Sequence, residues 1–412
     1  MKLPFFRPTV GEREIEAVVA TLRSGWLTTG AQAKAFEAEL AAYVGAKHAV
    51  AVNSCTAALH LALEAMGAQR GDLVLVPTMT FAATAEVVRY FDATPVFIDC
   101  EPDSLCLDLA AAERALARIA EGAPLPGLAP PYGPVRAILP VHYGGQMADV
   151  DGVRALAARY AGVGANPPRI AVIEDAAHTL PAYTRAGADA PWRAVGTTGD
   201  ITCFSFYANK CITTGEGGMA VTDDAQLADR MRVMSLHGMS KDAWNRYTGK
   251  GSWYYEVVAP GFKYNLTDIA AAIGRVQLAR ADELWQERRR LAAAYHAALA
   301  DVPGLALPRE RADRQHSWHL FPIQLELAAW PVDRNAVIEQ LKEAGIATSV
   351  HWQPLHMQPY YRERFGLTAD ACPVAQAAWP RLISLPLFPG LTDDEIGLVA
   401  DTLRAIQRGA RG

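Results

Sequence analysis

Apolar residues recur with two periods along this chain, and the periods alternate. Over residues 11–24, Ile15, Val18, Val19 and Leu22 fall three or four apart, which predicts an amphipathic helix with one apolar face. A second helix is expected from about Ala31, carrying Phe36, Leu40 and Tyr43. Short apolar runs bounded by turn residues then predict strands at His48–Val52, Leu73–Val76, Pro95–Ile98, Val135–Val141, Ile170–Ile173, Ile201–Tyr207 and Gly218–Thr222. Helical stretches are expected between them, from Asn53 through Met66, Phe81 to Tyr90 and Val150 to Tyr160. Strands that alternate with helices in this way mean a mostly parallel sheet covered on both faces. Farther on, the pattern predicts a long helix over 267–300, a strand at Leu320–Leu325 and a helix over 334–344. A short strand at Thr348–Val350 and a final helix from Thr392 to Arg408 complete it. The expected architecture is α/β. Residues 1–266 form a large unit around a mostly parallel seven-stranded sheet, and 267–412 supply a linking helix and a smaller α+β unit. Loops 122–134 and 163–168 are rich in Gly and Pro and read as surface insertions.

Composition narrows the class without changing the fold. A length of 412 residues suits two domains. The net charge of −5, with no long basic block, argues against nucleic acid or an anionic membrane as the main partner. No apolar run reaches the ~20 residues needed to span a bilayer, and the first residues lack the apolar core of a signal peptide. Cys55, Cys100, Cys106, Cys203, Cys211 and Cys372 form no CxxC pair and match no zinc spacing, so no metal is expected. Reduced thiols in a cytoplasmic enzyme are the simplest reading.

Candidate chemistry concentrates at the predicted strand ends. Lys210 follows an apolar run and precedes a glycine-rich turn, Gly215-Glu216-Gly217-Gly218. Only eight lysines occur: Lys2, Lys34, Lys47, Lys210, Lys241, Lys250, Lys263 and Lys342. Few candidates therefore exist for a lysine that bonds a carbonyl cofactor. A lysine with its usual pKa of about 10.4 is a poor nucleophile at neutral pH, and desolvation or a nearby cation lowers that value. Asp175 ends another strand, with His178 three residues on; each is either a ligand group or a helix cap and a structural histidine. An aspartate at a strand end can keep a pyridine nitrogen protonated. Asn53-Ser54-Cys55-Thr56 opens a helix and is either an anion site or an ordinary N-cap. Phe81 either stacks on a flat cofactor or packs in the core, and Ser205 either bonds a phosphate or is an ordinary strand serine. A phosphate turn, a stacking aromatic, an acid and a lysine in this order suit pyridoxal 5'-phosphate. His142 ends a further strand.

These segments resemble the DegT/DnrJ/EryC1/StrS sugar aminotransferases, pyridoxal-phosphate enzymes of fold type I. The resemblance rests on Ser24-Gly-Trp-Leu-Thr-Thr-Gly30, Glu174-Asp-Ala-Ala-His178, Phe204-Ser-Phe-Tyr207 with Lys210, and Gly215-Glu-Gly-Gly218. It extends through Gly261-Phe-Lys-Tyr-Asn-Leu-Thr-Asp268, Trp318-His-Leu-Phe321 and Ser384-Leu-Pro-Leu-Phe388. Gly261 to Asp268, Trp318 to Phe321 and Tyr360-Tyr-Arg-Glu-Arg-Phe365 are similar to members that aminate a UDP-linked 4-keto-pentose. The resemblance implies that Lys210 bonds the cofactor and moves protons, that Asp175 pairs with the pyridine nitrogen, and that His178 sits near the ring oxygen. It implies phosphate contacts from Thr56 and Ser205, a cofactor contact from Cys55, and stacking by Phe81. It implies a homodimer in which Lys263 and Asn265 reach the neighbour's phosphate, although many members carry Asn and Arg at those two places. Trp26, Thr28, His319 and His356 are expected around the sugar nucleotide, with L-glutamate as amino donor. The product would serve lipopolysaccharide or another cell-surface sugar. Sugar 3-dehydratases of the same family carry His where Lys210 stands, so Lys210 favours amino transfer. A non-catalytic regulator that binds the cofactor or a sugar is the rival from another class.

Overall fold

A computed structural model describes residues 2–240 and 255–409. In chain order the helices are α1 (Glu12–Ser24), α2 (Ala31–Val44), α3 (Cys55–Ala65), α4 (Ala82–Arg89), α5 (Leu109–Glu121), α6 (Val150–Tyr160) and α7 (Ala225–Met234). There follow α8 (Asp268–Ala279), α9 (Ala281–Leu299), α10 (Arg334–Glu343), α11 (Pro359–Phe365), α12 (Pro373–Ala378) and α13 (Asp393–Gln407). The strands begin with β1 (His48–Val52), β2 (Leu73–Pro77), β3 (Thr94–Ile98), β4 (Val135–Ile138) and β5 (Ala171–Asp175). The short β6 (Tyr183–Thr184) and β7 (Arg193–Ala194) come before β8 (Ile201–Ser205) and β9 (Gly218–Thr222). The C-terminal part adds β10 (Leu305–Ala306), β11 (Arg314–Gln315), β12 (Phe321–Leu325) and β13 (Leu382–Leu385).

Seven strands form the main sheet in the order β1-β9-β8-β5-β4-β2-β3. Only β9 runs against its neighbours, so the sheet is mostly parallel as the alternation predicts. The strands β2, β5 and β9 are buried at every residue, because helices cover both faces. On one face α3 and α4 join β1, β2, β5 and β8 in an apolar core through Leu59, Leu61, Val87 and Ile173; on the other α2 and α8 pack through Phe36 and Leu278. Burying one such Leu, Ile or Phe side chain contributes about 1.5–3 kcal/mol. A separate core under β10, β12 and β13 packs Phe321 of β12 against Tyr295, Val337, Leu341 and Leu403 from α9, α10 and α13.

Several elements differ from the periodicity. The helix expected over 267–300 breaks at Arg280, whose φ of −110° and ψ of 6° are not helical. There the Arg280 guanidinium turns to the buried carboxylate of Glu14 at 3.1 Å, and Gln277 donates to the same carboxylate at 2.7 Å. That polar anchor also explains α1. Its buried positions are Glu14 and Thr21, while Ile15 and Leu22 on the apolar face are each 49 % exposed. The expected strand at Thr348–Val350 is reduced to a single bridge between Ser349 and Ser384, and β4 ends at Ile138 rather than Val141. The helices α5, α7, α11 and α12 lie where the sequence pattern marked none.

Asp268 ties α8 to α2. Its buried carboxylate accepts from the backbone N–H groups of Gly30, Gln32 and Ala33 at 2.7, 3.1 and 2.9 Å, taking up donors that a helix start leaves without partners. Asp268→Ala leaves those donors bare and is expected to cost about 3 kcal/mol of unfolding free energy, with Asp268→Asn costing less. Urea denaturation of the three proteins checks this.

Candidate active site

The carboxyl ends of β5 and β8 open into a cavity of 480 Å³, at the edge where open α/β sheets take ligands. Its floor begins at the start of α3. Ser54 caps that helix by accepting from the Ala57 N–H at 3.1 Å, and Ser54, Cys55 and Thr56 all line the cavity. The free N–H groups and dipole of the first turn favour an anion there. Next to it β9 begins with Gly218. A Cβ at Gly218 would lie 2.4 Å from the Ser54 carbonyl carbon and 2.5 Å from the Cys55 nitrogen, so only glycine lets the strand come so close.

Asp175 closes the inner wall. It is 5 % exposed and accepts from the Thr84 hydroxyl at 2.7 Å and the Ala177 N–H at 3.1 Å. Thr84 is in turn 2.7 Å from the Thr80 hydroxyl. Burial pushes the Asp175 carboxyl above its ordinary range, and these donors together with the Lys210 ammonium oppose that shift. Glu174, one residue earlier, points to the opposite face of the strand. It is fully buried and takes His142 Nε2 at 2.8 Å and the Thr198 and Thr202 hydroxyls. His142 is thus occupied as a support behind the cavity rather than within it.

Lys210 stands in the turn between β8 and β9. That turn is fastened by bonds from Phe206 N–H to Gly217 O at 2.8 Å and from Thr214 N–H to Phe206 O at 2.9 Å. Desolvation holds the Lys210 amine below its ordinary value, and the Asp175 carboxylate works against that. His178 accepts at Nδ1 from the Gly144 N–H at 3.2 Å, and its ring stacks on Trp352 at 5.2 Å. His319 lies 4.4 Å from the His178 ring, and its buried Nδ1 is without a partner among the described residues. Desolvation, and then the neighbouring cationic groups, push both imidazoles well below the usual histidine value.

The structure therefore brings Cys55, Thr56, Phe81, Asp175, His178, Ser205, Lys210 and His319 to one cavity. Their chemistry fits pyridoxal phosphate: a buried amine, a buried acid, a helix start for a phosphate, and buried polar atoms still without partners at His319 and at Asn209 Oδ1. The Cys55 thiol itself bonds the Cys203 carbonyl at 3.5 Å, so the backbone of that residue, not its sulfur, is the group suited to an anion. Four other expected residues cluster elsewhere. Asn265 donates to the Thr29 hydroxyl at 2.7 Å, Lys263 reaches Asn265 Oδ1, and Thr28 accepts from the Asp268 N–H at 3.1 Å. Trp26 donates to Thr29 O in the same loop. None of Trp26, Thr28, Lys263 and Asn265 lines the Lys210 cavity of its own chain. The expectation for His356 is corrected: it is fully buried, with Nδ1 2.7 Å from the Thr78 hydroxyl and Nε2 3.2 Å from Ala369 O, which makes it a packing residue.

Sequence reasoning passed over Thr80, Thr84, Asn209, His351 and Trp352. Thr80 and Thr84 had a signal, since both sit one turn apart in Thr78-Met-Thr-Phe-Ala-Ala-Thr84 at a strand-to-helix turn. His351 and Trp352 had none, because only the return of the C-terminal part onto the sheet carries them to the cavity.

The sequence profile of the DegT/DnrJ/EryC1/StrS aminotransferase family matches residues 8–404. The chain belongs to that family. The spore coat polysaccharide biosynthesis protein SpsC of Bacillus subtilis is 44 % identical over 409 residues, covering 99 % of this chain and 98 % of its own. Among solved structures, Spr1654 from Streptococcus pneumoniae in its PLP form superposes with a TM-score of 0.86 at 30 % identity, over the full length of both chains. The sugar aminotransferase CalS13 from Micromonospora echinospora gives 0.81 at 29 %, over 98 % of this chain and 99 % of its own. The protein is a pyridoxal-phosphate-dependent sugar aminotransferase of fold type I.

The buried histidines make acid stability a readout of the site. His178 and His319 titrate well below, and His351 at about 4, against about 6.5 in the unfolded chain. Below pH 6.5 the unfolded state binds protons that the folded state refuses, so stability falls as pH falls. Asp175 and Glu37, shifted upward, work the other way, but they are two groups against seven histidines shifted downward, His60, His296, His316 and His356 among them. The melting temperature of the cofactor-free protein is expected to drop between pH 7.5 and 5.5. A flat profile in a thermal-shift assay would contradict the buried, neutral histidines.

Proposed function

We propose that this aminotransferase moves the amino group of L-glutamate to a keto carbon, C-4, of a nucleotide-linked sugar such as a UDP-4-keto-pentose. The observation that carries the reading is the buried amine of Lys210, which shares one cavity with Asp175 and with His319, whose Nδ1 has no partner among the described residues. When bound, pyridoxal phosphate supplies an electron sink that stabilises the carbanion formed in amino transfer. Asp175, with its carboxylate held by Thr84 and the Ala177 N–H, would keep the pyridine nitrogen protonated. Thr56, Ser205 and the start of α3 would hold the phosphate, and Phe81 and His178 would contact the ring. Lys210, whose amine desolvation holds below its ordinary value, would hold the cofactor and move the proton between the donor and acceptor carbons. His319 offers its free ring nitrogen to a sugar hydroxyl.

Trp26, Thr28, Lys263 and Asn265 do not line the Lys210 cavity of their own chain, and Ile15 and Leu22 on the apolar face of α1 stand half exposed. Both features support a homodimer in which that loop completes the neighbour's phosphate and sugar contacts. SpsC's part in spore coat polysaccharide biosynthesis supports an enzyme that makes an amino sugar for a cell-surface polysaccharide.

Glutamate alone is expected to bleach the visible absorption of the loaded enzyme, and 2-oxoglutarate to restore it. Lys210→Ala should lose at least roughly 10³-fold in turnover, the scale of a proton-transferring group. Unchanged turnover in Lys210→Ala, or no spectral response to any amino donor, would sink the reading.

A further inference from the structure

Two hydroxyls and a carboxylate form one chain of hydrogen bonds at the inner wall of the cavity. Thr80 lies between β2 and α4, and Thr84 is in the first turn of α4. Both are buried, at 1 % and 0 % exposed. Their hydroxyls are 2.7 Å apart, and the Thr84 hydroxyl donates to Asp175 Oδ2 at 2.7 Å. Thr80 also lines the Lys210 cavity, so the chain runs from the cavity edge to the acid.

The chain has a direction. An ionised carboxylate offers only lone pairs, and a hydroxyl has one proton to give. The Thr84 proton therefore goes to Asp175, and the Thr84 oxygen takes the Thr80 proton. Hydrogen bonds in such a chain polarise one another, so the second hydroxyl strengthens the first. Donors to a carboxylate favour its charged form and make it a weaker base. Asp175 and the pyridine nitrogen share one proton. Burial favours the neutral pair, with that proton on the acid; the hydroxyl chain favours leaving it on the ring. The other titratable groups facing Asp175 do not replace the chain. Lys210 is engaged by the cofactor, and His142 bonds Glu174. Burial pushes the Cys55 and Cys203 thiols well up, so both face the acid as neutral groups.

We propose that Thr80 and Thr84 are positioning residues that hold the shared proton on the pyridine nitrogen and so keep the ring an electron sink. The inference rests on the role read for Asp175 above and deepens it. It assigns the pair an electronic task that acts through Asp175, distinct from filling space, since valine has the shape of threonine and would fill the same two places.

The test loads the enzyme with pyridoxal phosphate isotopically labelled at the ring nitrogen and reads that nitrogen by NMR at neutral pH, where protonated and neutral pyridines resonate far apart. Wild type is expected to show the protonated nitrogen. Thr84→Val should move the resonance toward the neutral position and weaken cofactor binding at least about tenfold. Thr84→Ser, which returns the hydroxyl, should reverse both changes. Thr80→Val should move the resonance less, in the same direction, and serves if the Thr84 variant does not fold. A neutral nitrogen in wild type, a wild-type resonance in the valine variants, or a shift that serine does not reverse overturns the proposal. Asp175→Asn separates the two claims. If it leaves the resonance in place, the role read for Asp175 fails and the proposal with it. If it moves the resonance while the valine variants do not, the acid keeps its role and the hydroxyl chain loses its own.

Discussion

An acid buried at the end of β5 is the constraint around which the site is arranged. Taking a carboxylate out of water costs several kcal/mol unless charges and donors repay it. At Asp175 the Thr84 hydroxyl and the Ala177 N–H supply two donors, and Lys210 supplies the opposite charge. Each of these groups comes from a different element, so α4, the β5 turn and the β8–β9 turn must all be in register for these contacts to oppose the upward push of burial on the acid. Glu174 on the reverse face pins the same strand end through His142, Thr198 and Thr202. The acid is therefore positioned from both sides of the sheet.

Close approach of the backbone does the complementary work on the other wall. Gly218 allows β9 to lie against the start of α3, so that a helix N-terminus and the lysine turn face one cavity. Trp352 and His351 then return from the C-terminal part and cap the compartment, with the His178 ring stacked beneath Trp352. The cleft thus has a sheet-borne floor and a roof from the C-terminal part, where Trp352 packs against a cluster that includes Met79, Tyr143 and Cys372.

Much of this was legible in the chain because strands and helices differ in period, and because a parallel sheet puts its strand ends on one edge. The seven strand positions and the lysine, acid and helix start at their ends follow from that regularity. What escaped depends on contacts between distant segments. The apolar stripe of α1 reads as a core face, yet the buried side is set by Glu14 meeting Gln277 and Arg280 more than 260 residues away. The same contact coincides with the break at Arg280, which helical periodicity passes over because both halves keep an apolar face. His356 is expected near the sugar by resemblance alone and is a packing residue in space, since nothing local announces that Thr78 and Ala369 will take both its nitrogens.

The central claim is that Lys210, and no other lysine of this chain, holds the cofactor beside Asp175. Reduction of the loaded enzyme with borohydride fixes the cofactor to whichever lysine bears it, and peptide mass spectrometry then locates the label. The structure predicts one pyridoxyl group, on the peptide containing Lys210. A label on Lys263 or any other lysine, with Lys210 unmodified, would contradict the account.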